Sequence, residues 1–457
     1  MKTLCKSSTK FDEQALSLGF SELILQENAA RGVAELVRQK LKSGEKILFL
    51  CGGGNNGSDA IACARMLSGD YECELYFITG NLNANAQAQL NIALKVGVNR
   101  VSQPDLENIG CVIDGMFGSG LSRDLDAEII LLLDRINTHN ALKIAIDFPS
   151  GLDGNGNIRG ACFKADFTLS MGALKIGLFS DVAKDMTGEV SLVNLGLSDN
   201  RFITHQEDFL LERTDLNLPS RTLQNVHKGS FGHAFVALGQ MPGAGIMAAT
   251  AALIMGAGKV SVVGKAENLT PQIMQKNNFD GADAVAIGIG LGNADIDISA
   301  IKHLPCVLDA DLCYRAEIRE FLPNPSAVFT PHPKEFSGLL RNLGLADISI
   351  EEAIKNRFEL AREFSRQTKG VLLLKGANPI IAYNGTLYLC NLGSNKLSVG
   401  GSGDVLAGII LGYLAQGFSA LEAAKNAVLA HAKSAENYQG NDYSMTPLDL
   451  IDGLKYL

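Results

Sequence analysis

Along the chain, short apolar runs alternate with stretches in which apolar side chains recur at helical spacing, the pattern of buried strands alternating with amphipathic helices. From Ser21 to Leu41 the apolar positions Leu23, Ala30, Val33, Val37 and Leu41 share a face, with Arg31, Arg38 and Lys42 between them. The run Lys46 to Cys51 reads as a strand, Gly52 to Asp59 as a glycine loop, and Ala60 to Leu67 as a helix. Strand, glycine loop and helix in that order open a doubly wound sheet. Further strands are predicted at Glu74 to Ile78, Cys111 to Ile113, Lys143 to Ile146 and Phe167 to Ser170, each followed by turn or helix signals, so a largely parallel sheet is expected.

Polar groups fall at the ends of these strands. Asp114 precedes Gly115-Met116-Phe117-Gly118-Ser119-Gly120, and Asp147 precedes Phe148-Pro149-Ser150-Gly151. Ligands of open α/β sheets sit beyond the carboxyl ends of the strands, where strand order reverses, so the loop 52–59, Asp114 and Asp147 are expected to share one crevice. Taken singly, each Asp also suits a helix or turn cap.

The pattern loosens from Gly196 to Leu223, through Ser198-Asp199-Asn200-Arg201 and Asn217-Leu218-Pro219-Ser220-Arg221. A domain boundary is expected there, giving domains 1–205 and 213–457. A second α/β series follows, with strands at His233 to Leu238, Lys259 to Val263, Ala284 to Ile289, Cys306 to Leu308 and Val371 to Leu374, and a hairpin over Ile380 to Asn391 turning at Asn384-Gly385. Near its end lies Leu397-Ser398-Val399-Gly400-Gly401-Ser402-Gly403-Asp404, then an apolar run that reads as a buried helix starting near Asp404. Backbone N–H groups at such a helix N-terminus form an anion site. A carboxylate beside it can accept the proton of a hydroxyl that attacks a phosphoryl group, and the same Asp also suits an N-cap.

Composition narrows the function. The chain has 457 residues, 46% hydrophobic and 19% charged, with 48 glycines, as expected of an α/β protein of two or three domains. A net charge of −9 argues against nucleic acid as partner. The segment Met1 to Ser17 lacks the apolar core of a signal peptide, and the most apolar stretch, Val405 to Ala415, falls short of the roughly 18 residues that span a bilayer, so no membrane is expected. Nine scattered cysteines without a C-x-x-C pair point to a reducing cytoplasm rather than to zinc or disulfides.

Several motifs occur together and in order: His227 to His233, Pro242-Gly243-Ala244, Gly256-Ala257-Gly258, Gly288 to Gly292, Leu308 to Asp311, Thr330 to Glu335, Leu374 to Ala377 and Gly400 to Asp404. They resemble the dehydratase domain of the bifunctional NAD(P)H-hydrate repair enzymes, a branch of the ribokinase-like superfamily. Gly54 to Asp59, Asp114 to Gly120 and Asp147 to Gly151 resemble the epimerase domain of the same family. The resemblance implies a Rossmann-like doubly wound N-terminal domain and a ribokinase-like α/β C-terminal domain. The first interconverts the R and S epimers of hydrated NADH and NADPH. The second uses ADP to phosphorylate the 6-hydroxyl of the S form, releasing phosphate, AMP and the restored nicotinamide.

Carried over, the resemblance makes Asp404 the base of dehydration, with Ala244, Gly290, Gly292 and His332 also facing the hydrate, and Lys375, Gly376, Ala377, Asn378, Pro379 and Gly403 lining the nucleotide. His332, between two prolines, also suits a turn whose ring only packs. In the epimerase half, Asn56, Asp114 and Ser150 match potassium ligands. Asn55, Asn56, Gly57, Ser58 and Asp59, together with Gly118, Ser119, Gly120, Leu121, Ser122, Arg123 and Asp124, match the substrate loops, and Asp147 matches the acid-base carboxylate. K+ is implied as cofactor, Mg2+ is expected with the nucleotide, and a homo-oligomer is expected. Ser58, Ile289 and Asn378-Pro379 depart from the family pattern; Ser58 adds a hydroxymethyl group in a substrate loop. A ribokinase-like kinase of a small alcohol would use the same Gly401 to Asp404 site, but would lack the N-terminal half. A non-catalytic nucleotide-binding scaffold would not need Asn56, Asp114 and Asp147 together.

Overall fold

The computed structural model describes residues 1–198, 208–267 and 269–457. It falls into two compact units, one of Thr3–Glu207 and one of Asp208–Leu457 with Met1–Lys2. Asp199 to Arg201, and the domain end expected at 205, lie outside the described residues.

The first unit runs β1 (Lys2–Cys5), α1 (Thr9–Ser17), α2 (Glu22–Lys40), β2 (Lys46–Cys51), α3 (Asn55–Leu67), β3 (Glu72–Phe77), α4 (Ala84–Lys95), β4 (Asn99–Val101), β5 (Ile109–Gly115), α5 (Ala127–Thr138), β6 (Leu142–Ile146), β7 (Phe167–Met171), β8 (Leu174–Lys175) and β9 (Glu189–Val193). Its main sheet has seven strands in the order β4-β3-β2-β5-β6-β7-β9, all paired parallel. Both faces are covered, which is why β2 is a continuous apolar run rather than an alternating one. Ile47 and Phe49 pack with Ala30 and Val33 of α2, whereas Leu48 and Leu50 pack with Leu133 and Ile136 of α5.

Strand order reverses between β2 and β5, and the backbone is tightest there. A Cβ on Gly52 would lie 2.0 Å from the Met116 carbonyl oxygen, so only glycine allows the two strand ends to meet. The helix after β2 begins earlier than its composition suggests. It starts at Asn55 with Gly54 as N-cap, so Asn55 to Asp59 form its first turns instead of a loop. Glycine and asparagine have low helix propensity, but packing overrides it.

The second unit runs β10 (Asp208–Leu210), β11 (His233–Ala237), α6 (Pro242–Ile254), β12 (Lys259–Val263), β13 (Met274–Lys276), β14 (Ala284–Ile287), β15 (Cys306–Leu308), β16 (Ala327–Phe329), α7 (Pro333–Leu343), α8 (Ile350–Lys355), α9 (Arg357–Gln367), β17 (Val371–Leu374), β18 (Ile380–Tyr383), β19 (Thr386–Leu389), α10 (Ser402–Ala415), α11 (Ala420–Asn437) and α12 (Pro447–Gly453). Its strands lie in the order β13-β12-β11-β14-β15-β16-β17-β18-β19-β10. Pairing is parallel except at the hairpin β17-β18-β19, whose β18-to-β19 turn holds Asn384 and Gly385 at φ 48° and 82°. Helix α10 is buried from Val405 to Ala415. It lies so close to α6 that a Cβ on Gly408 would sit 2.2 Å from the Ala248 carbonyl oxygen. No helix among the described residues is long and apolar enough to cross a membrane, and all nine cysteines are free thiols.

A start at 213 would cut into the second unit. It removes β10, which pairs with β19 through Phe209 and Leu210, and it removes Asp208, whose carboxylate binds Arg362 at 2.7 Å and accepts from the Leu387 N–H at 2.9 Å. We propose that 1–207 and 208–457 fold independently, each being large enough to bury its own core. Each fragment should unfold cooperatively in urea. A fragment 213–457 should unfold at lower urea than 208–457, and equal midpoints would show that β10 contributes nothing.

Candidate active sites

In the first unit the switch point opens into a cavity of about 900 Å3. It is lined by Gly52 to Asn56, Asp59, Met116 to Arg123 and Asp147, with Asp12, Glu22 and Gln26 from the two leading helices. Of the candidate residues, Asn55, Asn56, Asp59, Gly118 to Arg123 and Asp147 therefore meet in one place. Gly57, Ser58 and Asp124 do not line the cavity. Ser58 is fully buried, and its hydroxyl donates to the Gly54 carbonyl at 3.3 Å, a back-bond within the helix, with Asn83 Oδ1 at 3.5 Å. Its extra hydroxymethyl group thus faces the start of α4 and not a ligand. Asp12, on α1, was not singled out in the sequence because its motif is that of an ordinary surface helix.

One hydrogen-bonded chain ties the oxygen-bearing residues together. Asn56 Nδ2 donates to the Phe117 carbonyl at 3.0 Å, the Phe117 N–H donates to Ser150 Oγ at 3.0 Å, and Ser150 donates through its N–H and hydroxyl to the two Asp114 oxygens at 2.7 and 2.6 Å. Asp114 is wholly buried, and burial pushes its carboxyl up to about 6, against the pull of the Ser150 and Met116 donors. A buried carboxylate with a nearby amide and hydroxyl is a hard-oxygen donor set, which suits K+. Among the described residues there is no group of three or more His, Cys, Asp and Glu arranged for a metal ion.

Asp147 follows β6 at φ 64°, an uncommon backbone state for a residue with a side chain. Its Oδ1 accepts from the Met171 N–H at 3.1 Å and is ion-paired with Lys175. Two further carboxyls stand near this pair. Burial raises Asp59 well above the carboxylate range, with Asp147 and Asp12 adding to it, and burial also raises Asp12, partly offset by Lys175.

In the second unit the candidate groups line the carboxyl edge of neighbouring parallel strands. Gly288 to Gly292 follow β14, Asp309 to Asp311 follow β15, Thr330 to Glu335 follow β16, and Lys375 to Pro379 follow β17. Gly290 and Gly292 are left-handed, at φ 60° and 58°, and the Gly292 N–H donates to Asp311 at 2.7 Å. A Cβ on Gly290 would come within 3.2 Å of Ala244 Cβ, which places the β11–α6 turn at the same edge. Ile289 is buried in the core, and Asn378 is 2% exposed.

Helix α10 points its N-terminus into this edge. Gly401, left-handed at φ 93°, is the N-cap, no side chain caps the helix, and Asp404 stands in its first turn. The cap reading of Asp404 is therefore replaced by one in which its carboxylate remains available. Burial raises Asp404 to about 6, Asp309 adds to the shift, and Lys375 opposes it. Lys375 binds Asp309 at 2.6 Å, and a Cβ on Gly403 would lie 3.4 Å from its ammonium. Beneath the turn, His431 is within 3.0 Å of the Ser402 carbonyl and 3.2 Å of its hydroxyl; burial lowers its pKa to about 4, so it is neutral. Asp309, Lys375 and His431 thus frame the turn; Asp309 lies within the Leu308 to Asp311 motif, whereas His431 carries no sequence signal of its own.

His332 is the N-cap of α7. Its Nδ1 accepts from the Lys334 and Glu335 N–H groups at 3.1 and 3.3 Å, and its Nε2 lies 3.1 Å from Glu335 Oε1. Burial lowers its pKa, and Lys375 adds to this. Both ring nitrogens are engaged in the cap, which fits the turn role better than a ligand role.

Two parallel α/β units, each with a carboxylate at the carboxyl edge of its sheet and one with a glycine-rich helix N-terminus, define a two-domain α/β enzyme for nucleotide-like ligands. Residues 234–455 match the family described as NAD(P)H-hydrate dehydratase, and residues 22–177 match the family described as YjeF-related protein N-terminus. The bifunctional NAD(P)H-hydrate repair enzyme Nnr of Helicobacter pylori is 40% identical over 100% of both chains. That of Coxiella burnetii is 31% identical over 98% of this chain and 97% of its own. The solved ADP/ATP-dependent NAD(P)H-hydrate dehydratase of Bacillus subtilis, co-crystallised with ATP/Mg2+, is 29% identical, with a TM-score of 0.45, over 53% of this chain and 94% of that one. The chain belongs to the bifunctional NAD(P)H-hydrate repair enzyme family, with an epimerase and a dehydratase unit.

If His332 is mainly a cap, His332→Ala should destabilise the second unit by about 1 kcal/mol, and His332→Asn, a good N-cap, should stay within about 0.5 kcal/mol of wild type. Urea unfolding of 208–457 reads both. Equal losses in the two variants would show that the cap is not what the ring supplies.

Proposed function

We propose that the two units divide one repair between them, each using its own strand-end carboxylate. The observation that carries the reading is that each unit sets one carboxylate at the carboxyl edge of its own parallel sheet with a lysine nearby: Asp147 is itself paired with Lys175, and Asp404, in the first turn of α10, stands by the Lys375–Asp309 pair.

In the first unit Asp147 moves the protons that epimerisation at a carbinolamine-like carbon requires. The cavity is within the range of small-molecule sites, and Asn55, Asp59 and Gly118 to Arg123 line it around the hydrate. Asn56, Asp114 and Ser150 would hold K+. The ion would add a fixed positive charge beside the anionic substrate.

In the second unit Asp404 takes the proton of the 6-hydroxyl as that oxygen attacks the terminal phosphoryl group of ADP. The Gly403 N–H, at the positive end of α10, holds the phosphoryl oxygens, and Lys375, whose ammonium stands beside Gly403, supports it. That transfer releases AMP, and the phosphorylated hydrate then expels phosphate together with a proton from the neighbouring ring carbon, which restores the ring double bond. Lys375 to Pro379 line the nucleotide, and Ala244, Gly290 and Gly292 shape the space for the hydrate. Mg2+ would enter with the nucleotide, held by its phosphates and by water, and would offset the charge on the phosphates.

Asp404→Asn should lower dehydration of the S epimer by about 10² to 10⁴ with nucleotide binding kept. Because the base must be ionised, and burial holds its carboxyl at about 6, the wild-type rate should fall as pH drops through about 6 and level off above it. Asp147→Ala should abolish R-to-S conversion while the S epimer is still repaired. The assay is incubation with both epimers and ADP or ATP, following reduced nicotinamide and the residual epimers by chromatography. Near wild-type dehydration by Asp404→Asn, or loss of both activities in folded Asp147→Ala, would overturn the division.

A further inference from the structure

A tight turn after β7 aims Lys175 back at the end of β6. Gly172 adopts φ 72°, the Gly172 N–H donates to the Val193 carbonyl at 3.0 Å, and Ser170 Oγ donates to the Ala173 carbonyl at 2.7 Å, closing Ser170 to Ala173 on itself. The chain then re-extends as β8, in register with Cys5 of β1. Lys175 is 0% exposed, an uncommon state for a lysine unless it is paired. Its ammonium donates to the Met171 carbonyl at 2.6 Å and to Asp147 Oδ1.

These contacts make the two oxygens of Asp147 unequal. Oδ1 takes both the Lys175 ammonium and the Met171 N–H. Oδ2 accepts from no described residue and faces the cavity wall, since a Cβ on Gly118 would lie 3.4 Å from it. The backbone of Asp147 cannot relax to a commoner state without releasing its N–H, which donates to the Leu169 carbonyl at 2.8 Å.

We propose that Lys175 is the positioning residue of the epimerase site, holding Asp147 by Oδ1 so that Oδ2 alone is presented to the hydrate. Lys175 itself touches no ligand, being sealed behind Asp147 and the β7–β8 turn. The same cavity wall also carries Asp12 and Asp59. The positioning role rests on Asp147 being the acid-base carboxylate of the first unit.

The test uses the full chain with Lys175→Met, Lys175→Gln, Asp147→Asn and the Lys175→Met/Asp147→Asn double variant. R-to-S conversion is measured as separate kcat and KM, and dehydration of pure S epimer serves as an internal control. Lys175→Met should lower kcat about 10²-fold with KM within about threefold, S repair should be unchanged, and the double variant should be no slower than Asp147→Asn alone. Lys175→Gln, which keeps a donor for the Met171 carbonyl without the charge, should show the same kcat loss, and it carries the test if Lys175→Met does not fold. A raised KM at unchanged kcat, or a double variant slower than Asp147→Asn by the full Lys175→Met factor, would overturn the proposal and leave Asp147 in its role. Wild-type conversion by Asp147→Asn would instead remove the reading on which the proposal rests.

Discussion

The N-terminus of α10 is the constraint on which the second unit turns. Burying a helix start leaves several N–H groups without intrahelical partners, and a side chain usually caps them. Here Gly401 caps by backbone alone, no side chain caps the helix, and the Ser402 N–H turns back to the Val399 carbonyl at 3.2 Å. A lysine ammonium stands beside this helix start, bound to a buried aspartate. Lys375 in isolation would be repelled by the helix dipole and penalised by burial, and the Asp309 carboxylate beside it offsets both. The result is a fixed positive surface next to a carboxyl, Asp404, that burial raises to about 6.

The first unit reaches a similar arrangement by another route. Its tight point is the meeting of Gly52 with the Met116 carbonyl, which brings the β2 and β5 ends close enough for Asn56, Phe117, Ser150 and Asp114 to form one hydrogen-bonded chain. In both units a residue with a side chain at a strand end is held left-handed, Asp147 at φ 64° in one and Ala310 at φ 46° in the other. Such states cost free energy and persist only where their surroundings fix them. Around Asp147 those surroundings are the Leu169 carbonyl, the Met171 N–H and Lys175.

How much of this was readable in the residues follows from what each signal depends on. Strands buried on both faces, such as β2 and β17, announce themselves as apolar runs, and the Asn384-Gly385 turn follows from backbone preference alone. The start of α3 was not readable, because Asn55 to Asp59 are poor helix formers whose conformation is set by packing against the Gly52 region. Lys175 was missed for a related reason. It ends the apolar stretch Ala173-Leu174, where a lysine looks like a strand terminus reaching solvent, and only the Gly172 turn folds it inward. His332 follows β16 as the N-cap of α7, and whether its ring caps or faces a ligand depends on ring geometry, which the flanking prolines do not determine.

The division of labour also explains why the two sites need such different chemistry. A catalyst of epimerisation cannot shift the balance of R and S; it only shortens the time to reach it. The first unit therefore needs proton transfer and a firm grip on an anionic ligand, and a roomy cavity with Asp147 at its wall suffices. Direction comes from the second unit, where phosphoryl transfer consumes only the S form and release of phosphate makes the loss of water effectively irreversible. As S is withdrawn, R follows through the first unit, so both epimers drain to reduced nicotinamide without any contact between the sites. That demands an oriented attack rather than mere proton exchange, and it is the second unit that supplies a rigid set of donors: a helix start fixed by the close packing of Gly408 against Ala248 and a lysine fixed by Asp309.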